Sequence, residues 1–154
     1  MTPDSTDSNV PEEGKNPQSE PKAPLFADQI TPLLTDLLYP SESDEPLEPV
    51  ETYLKMTETL TVSHIKDWLM LPPSQYVEEI PEADFWAPVT TIEDWFGDDE
   101  KANAAQFQKL KKTLDILLTE HQVFRVGHTE MDVYLLGKPK EGPRVGLKTR
   151  VVET

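Results

Sequence analysis

The feature that most constrains this chain is a change of hydrophobic period near residue 119. From about Asp99 to Thr119, Ala104, Phe107, Leu110, Leu114 and Leu117 recur at three- and four-residue spacing, the stripe of an amphipathic helix. Its acidic start and its later Lys109, Lys111 and Lys112 suit the helix dipole. Beyond it the period falls to two. Val123 to Val126, Met131 to Leu136 and Val145 to Val152 alternate, with Met131, Val133 and Leu135 on one face and Val145, Leu147, Thr149 and Val151 on another. The last two segments, joined across Gly137 to Pro143, predict a hairpin. Helix and sheet stripes of this kind are buried by packing on each other.

Upstream, Phe26, Ile30, Leu33, Leu34, Leu37 and Leu38 have helical spacing, with Thr31 and Pro32 suiting an N-cap and first turn and Tyr39-Pro40 forcing a stop. Leu47 to Met56 reads as a strand, at an edge or bulge because of Pro49. Thr61 to Leu71 places Val62, Ile65, Trp68 and Leu69 on one helical face before Pro72-Pro73. Tyr76 to Ile80 suggests a short strand, and the pattern assigns no element to Ala83–Thr91. The expected fold is α+β: an α/β/α sandwich, with a mixed or antiparallel sheet carrying helices on its faces.

Residues 1–24 hold five of the 15 prolines, much Ser, Asp and Glu, and almost no bulky apolar side chains. Such a segment buries too little to offset its ordering entropy, so the expected division is a disordered acidic tail over 1–24 and one domain over 25–154. The tail has neither the apolar core of a secretory signal nor an Arg-rich amphipathic pattern, and no later run reaches membrane-spanning length. The chain has no cysteine, which removes disulfides, thiolate metal sites and thiol nucleophiles and agrees with a cytoplasmic location. The net charge of −15 is unevenly spread. Residues 42–100 carry 16 acidic groups against two lysines, whereas 101–154 carry six acidic and ten basic groups. A chain so charged repels nucleic acid and anionic membranes and attracts a basic partner.

Few residues point to chemistry. His64, His121 and His128 lack ligand spacing and read as helix-surface and strand-end residues, and there is no Gly-rich phosphate loop or nucleophile elbow. The acids Asp98, Asp99 and Glu100 are explained by a helix N-terminus. The run Ser41-Glu42-Ser43-Asp44-Glu45, between Pro40 and Pro46, has no such explanation: it brings charge repulsion without packing and is the best candidate for a recognition loop. Trp68 suits a core. Trp86 suits core and interface equally, and Trp95, in polar surroundings, favours an interface.

These pieces together resemble the nuclease A inhibitor family of cyanobacterial type. The match runs through Ser41-Glu42-Ser43-Asp44 with Pro46 and Glu48, Thr91, Asp94 and Trp95, and Phe107-Gln108-Lys109-Leu110. It continues through Arg125-Val126-Gly127, Glu130, Asp132-Val133-Tyr134, Gly137, Gly146 and Val151-Val152-Glu153-Thr154, covering roughly residues 25–154. The stretch Met56–Pro88 matches loosely, and Glu45 stands where the family motif has an aromatic.

The resemblance implies a non-enzymatic inhibitor, without a cofactor of its own, of a magnesium-dependent DNA/RNA non-specific endonuclease. Glu42 would approach the partner's Mg2+, in the complex only, with Ser41, Ser43, Asp44, Trp95 and Thr154 as further contacts. The free chain would be a monomer forming a one-to-one complex, without direct nucleic-acid or membrane binding. Three alternatives stand beside this reading: an acidic nucleic-acid mimic acting on another basic protein, an enzyme with a metal at Glu42 and Asp44, and an adaptor.

Overall fold

A computed structural model describes residues 25–153. The tail over 1–24 and Thr154 lie outside the described residues. The elements are helix α1 (Phe26–Leu34), strands β1 (Leu38–Tyr39), β2 (Glu45–Pro46) and β3 (Glu48–Glu51), α2 (Val62–Leu69), β4 (Val77–Ile80), α3 (Glu82–Thr90), α4 (Asp98–Leu117), β5 (Thr119–Val126), β6 (Glu130–Lys138) and β7 (Val145–Val152). Strands β3-β7-β6-β5-β4 form one sheet in that order, antiparallel throughout, while among the described residues β1 and β2 pair only with each other.

The period-two pattern determines which residues meet. In the β6–β7 hairpin Met131 faces Val151, Val133 faces Thr149 and Leu135 faces Leu147, so the two alternating sets lie on the same side of the sheet. That side packs against Ile30 and Leu34 of α1, Phe85, Trp86 and Val89 of α3, and Phe107, Leu110 and Leu114 of α4. The intervening residues Tyr134 and Leu136, with Phe124 and Val126 of β5, form a second core under α2 around Ile65. Because β6 is buried on both faces, its Val133-Tyr134-Leu135-Leu136 run is continuously apolar. The result is the expected α/β/α sandwich, with three helices on one face and one on the other.

Polar side chains fasten the long connection before α2 to the sheet. Gln122 behaves like a strand neighbour, its Oε1 accepting from Leu60 N–H at 3.0 Å and its Nε2 donating to the Leu60 carbonyl at 3.0 Å. Buried Arg144 donates through Nη2 to the Met56 and Glu58 carbonyls at 3.3 and 2.6 Å. Thr61 then caps α2: its N–H donates to His64 Nδ1 at 2.9 Å and its Oγ1 accepts from His64 N–H at 3.4 Å.

Four expectations change. Helix α1 starts at Phe26, so Pro32 is interior; Thr31 Oγ1 bonds back to the Ala27 carbonyl at 2.7 Å rather than capping an N-terminus. That helix also ends at Leu34, well before Pro40, because Thr35 is extended and Asp36 adopts φ 60°. Residues 83–91 are largely helical despite Pro88, as burial of Phe85, Trp86 and Val89 outweighs the proline's lost N–H. The lysines of α4 stand too far from its end to serve the dipole, whose influence fades within a turn: the last turn has no basic residue, and Lys111 instead pairs with Asp115 at 3.1 Å. Pro49 does occupy an edge strand, where a missing N–H is tolerated.

Candidate partner-binding site

The proline-bounded acidic run is the tip of the β1–β2 hairpin, with Leu38 opposite Pro46 and Tyr39 opposite Glu45. Its serines organise it. Ser41 Oγ donates to the Ser43 carbonyl at 2.7 Å and accepts from Ser43 N–H at 3.2 Å, while Ser43 Oγ donates to the Glu45 carboxylate. The Asp44 carboxylate accepts from Ser41 N–H at 3.4 Å. Thus the side chains of Ser41, Ser43 and Asp44 make bonds within the loop, which holds its shape despite the crowded charge. Glu42 is exposed at the tip.

The tip is clamped to the end of the central sheet. Glu42 N–H donates to the Val152 carbonyl at 3.1 Å, and Val152 N–H donates to Ser41 Oγ at 3.1 Å. Glu153, the next residue, donates its N–H to the Thr129 carbonyl at 2.8 Å. Segments 111 residues apart in sequence therefore share one edge of the molecule.

Tyr39 roots the hairpin. Its ring stacks on Phe85 with centroids 4.9 Å apart, and its hydroxyl donates to the Phe85 carbonyl at 2.6 Å. Burial pushes the Tyr39 hydroxyl up to about 12, with Glu153 adding and Arg125 opposing. Burial likewise raises Tyr134 to about 12, helped by Asp132 and Glu48. The unfolded chain releases these protons first, near the ordinary value of 10, so their contribution to stability is complete below pH 10 and is lost as pH rises toward 12. Ultraviolet difference titration should show a late-ionising component near pH 12 that Tyr39→Phe reduces, with unfolding beginning above pH 10. Ionisation of both groups near pH 10 without unfolding would contradict this burial.

Trp95 occupies the short connection between α3 and α4. A turn, in which Phe96 N–H donates to the Glu93 carbonyl at 3.0 Å, leads into Gly97, whose N–H donates to Glu100 Oε1 at 2.7 Å. Trp95 is 72% exposed and leans edge-on against Phe96, centroids 4.7 Å apart. Trp86 is core instead, 2% exposed with its Nε1–H donating to Glu82 Oε2 at 2.9 Å.

Glu42 and Trp95 border neighbouring hollows. One, of about 420 Å³, lies between Glu42, Asp84, Arg125 and Glu153; the other, of about 470 Å³, lies beside Trp95, Asp99, Glu100 and Asn103. Pro40 and Pro88 line both, so the two hollows form one continuous surface. Most of the charge on it is carboxylate, and Arg125, which also lines it, is paired with Glu78 at 2.6 Å. The structure thus brings Ser41, Glu42, Ser43, Asp44 and Trp95 to one side of the molecule.

A family model of nuclease A inhibitor-like proteins (NuiA) matches residues 25–154. The chain belongs to that family. A search of curated proteins found no match. Membership of the nuclease A inhibitor-like family fits a protein that acts by binding, and among the described residues no helix is long and apolar enough to cross a membrane. Sequence reasoning missed a separate cluster: His64 and His128 are surface residues, the latter stacked on Tyr76 at 4.6 Å, but His121 is turned inward against Glu82 and Asp115.

Proposed function

We propose that this protein inhibits a magnesium-dependent, sugar-non-specific nuclease by inserting the 40–44 hairpin tip into the enzyme's cleft and directing the Glu42 carboxylate to the catalytic metal. The observation carrying this reading is the clamp between Glu42 N–H and Val152, which presents an exposed carboxylate on a braced backbone. A nuclease Mg2+ that receives a phosphate oxygen favours hard oxygen donors, and a carboxylate can replace the phosphate. Preorganisation lowers the ordering cost of binding. Ser41, Ser43 and Asp44 serve mainly by holding the tip, while Trp95 covers the rim and Thr154 adds a contact beyond Glu153.

The remaining acid on this face steers the inhibitor toward a basic, nucleic-acid-shaped cleft. Residues 25–154 form the inhibitory unit in this reading, a cytoplasmic monomer that binds one nuclease. Residues 1–24 add charge without being needed for contact.

The test is inhibition of a purified magnesium-dependent non-specific endonuclease on plasmid DNA by wild type and by Trp95→Ala. Trp95 is an exposed aromatic, so the variant should raise the inhibition constant about 30-fold or more while melting like wild type. Lost stability with unchanged inhibition would make Trp95 a packing residue. Wild-type binding to the nuclease that survives EDTA unchanged would remove the metal from the mechanism and favour an acidic mimic.

A further inference from the structure

The fold gathers one cluster away from the hairpin tip. Glu82 opens α3, Asp115 lies in the last turn of α4, and His121 lies in β5. One ligand atom from each lies within 4.8 Å of the others. His121 Nδ1 is 2.7 Å from Glu82 Oε2 and 3.7 Å from Asp115 Oδ1, and only 6% of the His121 side chain is exposed.

Two backbone features hold the imidazole there. The β5–β6 register shifts between Thr119 and Gln122, with Glu120 at φ 53°, so β5 bulges at His121. Across the ladder, Gly137 leaves room: a Cβ there would lie 3.0 Å from His121 Cδ2 and 2.8 Å from Leu118 Cβ. A glycine inside a strand lowers its stability, which is consistent with a site where another group approaches closely.

The hydrogen bonds match a metal-binding histidine. The Leu118 carbonyl can only accept, so Nε2, 3.0 Å away, donates to it, while Nδ1 faces the carboxylates and, at 2.7 Å from Glu82 Oε2, donates a hydrogen that a metal ion would displace. A backbone acceptor on the far nitrogen is the usual means of orienting an imidazole ligand. Trp86 Nε1–H fixes the Glu82 carboxylate at 2.9 Å, and Lys111 holds the Oδ2 of Asp115, leaving Oδ1 toward the histidine.

We propose that His121, Glu82 and Asp115 bind one Zn2+, with water completing a tetrahedral shell. One nitrogen and two carboxylates suit this borderline ion better than Ca2+ or Mg2+, which prefer oxygen alone. Bond lengths of about 2.0–2.1 Å place tetrahedral ligand atoms roughly 3.3 Å apart. The Glu82 carboxylate, only part-buried, must therefore withdraw by about half an ångström from Nδ1. Zinc joins the start of α3 to the end of α4 and to β5, stapling the helix that also carries Asp84 and Pro88 of the binding face.

The test uses the full chain, stripped with a chelator and titrated with ZnCl2 by calorimetry and thermal melting. One zinc should bind per chain, and free zinc about a hundredfold above its Kd should raise Tm by roughly 5–10 °C. Equal concentrations of CaCl2 should leave Tm unchanged. Asp115→Asn and Glu82→Gln keep shape and alter exposed or part-exposed groups; each should melt near the metal-free wild type and lose affinity by at least about 10- to 100-fold, the cost of losing even an outer-shell partner. Substituting Co2+ should give tetrahedral visible bands that His121→Gln abolishes. No saturable zinc binding, an equal response to calcium, or undiminished affinity in both carboxamide variants would overturn the site.

Discussion

Glu42→Ala should be the most damaging single change to inhibition. Removing a charged group that meets an opposite charge across a water-excluded interface costs about 2–5 kcal/mol, an increase of roughly 30- to several-thousandfold in the inhibition constant. The fold should not follow. The clamp to Val152 uses Glu42 N–H, which alanine retains, and the side chain is exposed, so unfolding free energy should change by about 0.5 kcal/mol or less. Glu42→Gln separates charge from shape: it preserves length and polarity but is a poorer oxygen donor to a divalent ion, so it should resemble alanine. Matched inhibition curves and melts for the three proteins are the required measurements. Full inhibition by Glu42→Ala would show that the acidic face acts collectively and that no one carboxylate reaches the metal.

This separation of function from stability follows from how the loop is built. Ser41, Ser43 and Asp44 supply bonds within the tip, Tyr39 ties its base to α3, and the neighbouring strand contributes the Val152 clamp. Repulsion among these acids acts on a backbone already held at several points. An exposed charge at such a place contributes little to folding, and its value in binding comes from being positioned in advance.

Much of this arrangement was legible in the sequence because it follows local rules. Ala104, Phe107, Leu110 and Leu114 are all buried along α4 at the spacing that identified them, and Leu117 is partly buried. Alternation located β6 and β7, and two prolines around five polar residues marked the hairpin tip. What stayed hidden depended on contacts between distant segments. The β1–β2 pair is too short to show a period, and α3 combines an interior proline with Phe85 and Trp86 side by side, a pattern explained only by the core it meets. Neither the meeting of residue 42 with 152 nor that of 82 with 115 and 121 has a spacing that could announce it.

Gly146→Ala should be the most damaging change to the fold, although one methyl group is all it adds. Gly146 pairs with Leu136 of β6 on one side and Val50 of β3 on the other, so it lies in the interior of the sheet. A Cβ at this position would fall 1.7 Å from the Leu135 carbonyl oxygen and 3.0 Å from Leu136 Cα. Those atoms are backbone, and no side-chain rotation can move them away. Relief requires β6 and β7 to separate, which breaks ladder bonds at the centre of both cores. Overpacking a core commonly costs about 1–3 kcal/mol, and the broken pairing brings the expected loss to about 3–5 kcal/mol, a large part of the roughly 5–15 kcal/mol that holds a domain folded. The corresponding fall in Tm is about 10–20 °C. Gly142→Ala provides the contrast: its φ of 97° makes alanine strained, but nothing lies within 4 Å of the new atom, so the loss should stay near 1 kcal/mol. Urea unfolding of the two variants beside wild type separates lack of space from lack of conformational freedom. Equal losses would mean that β6 and β7 yield far more easily than two stacked cores should allow.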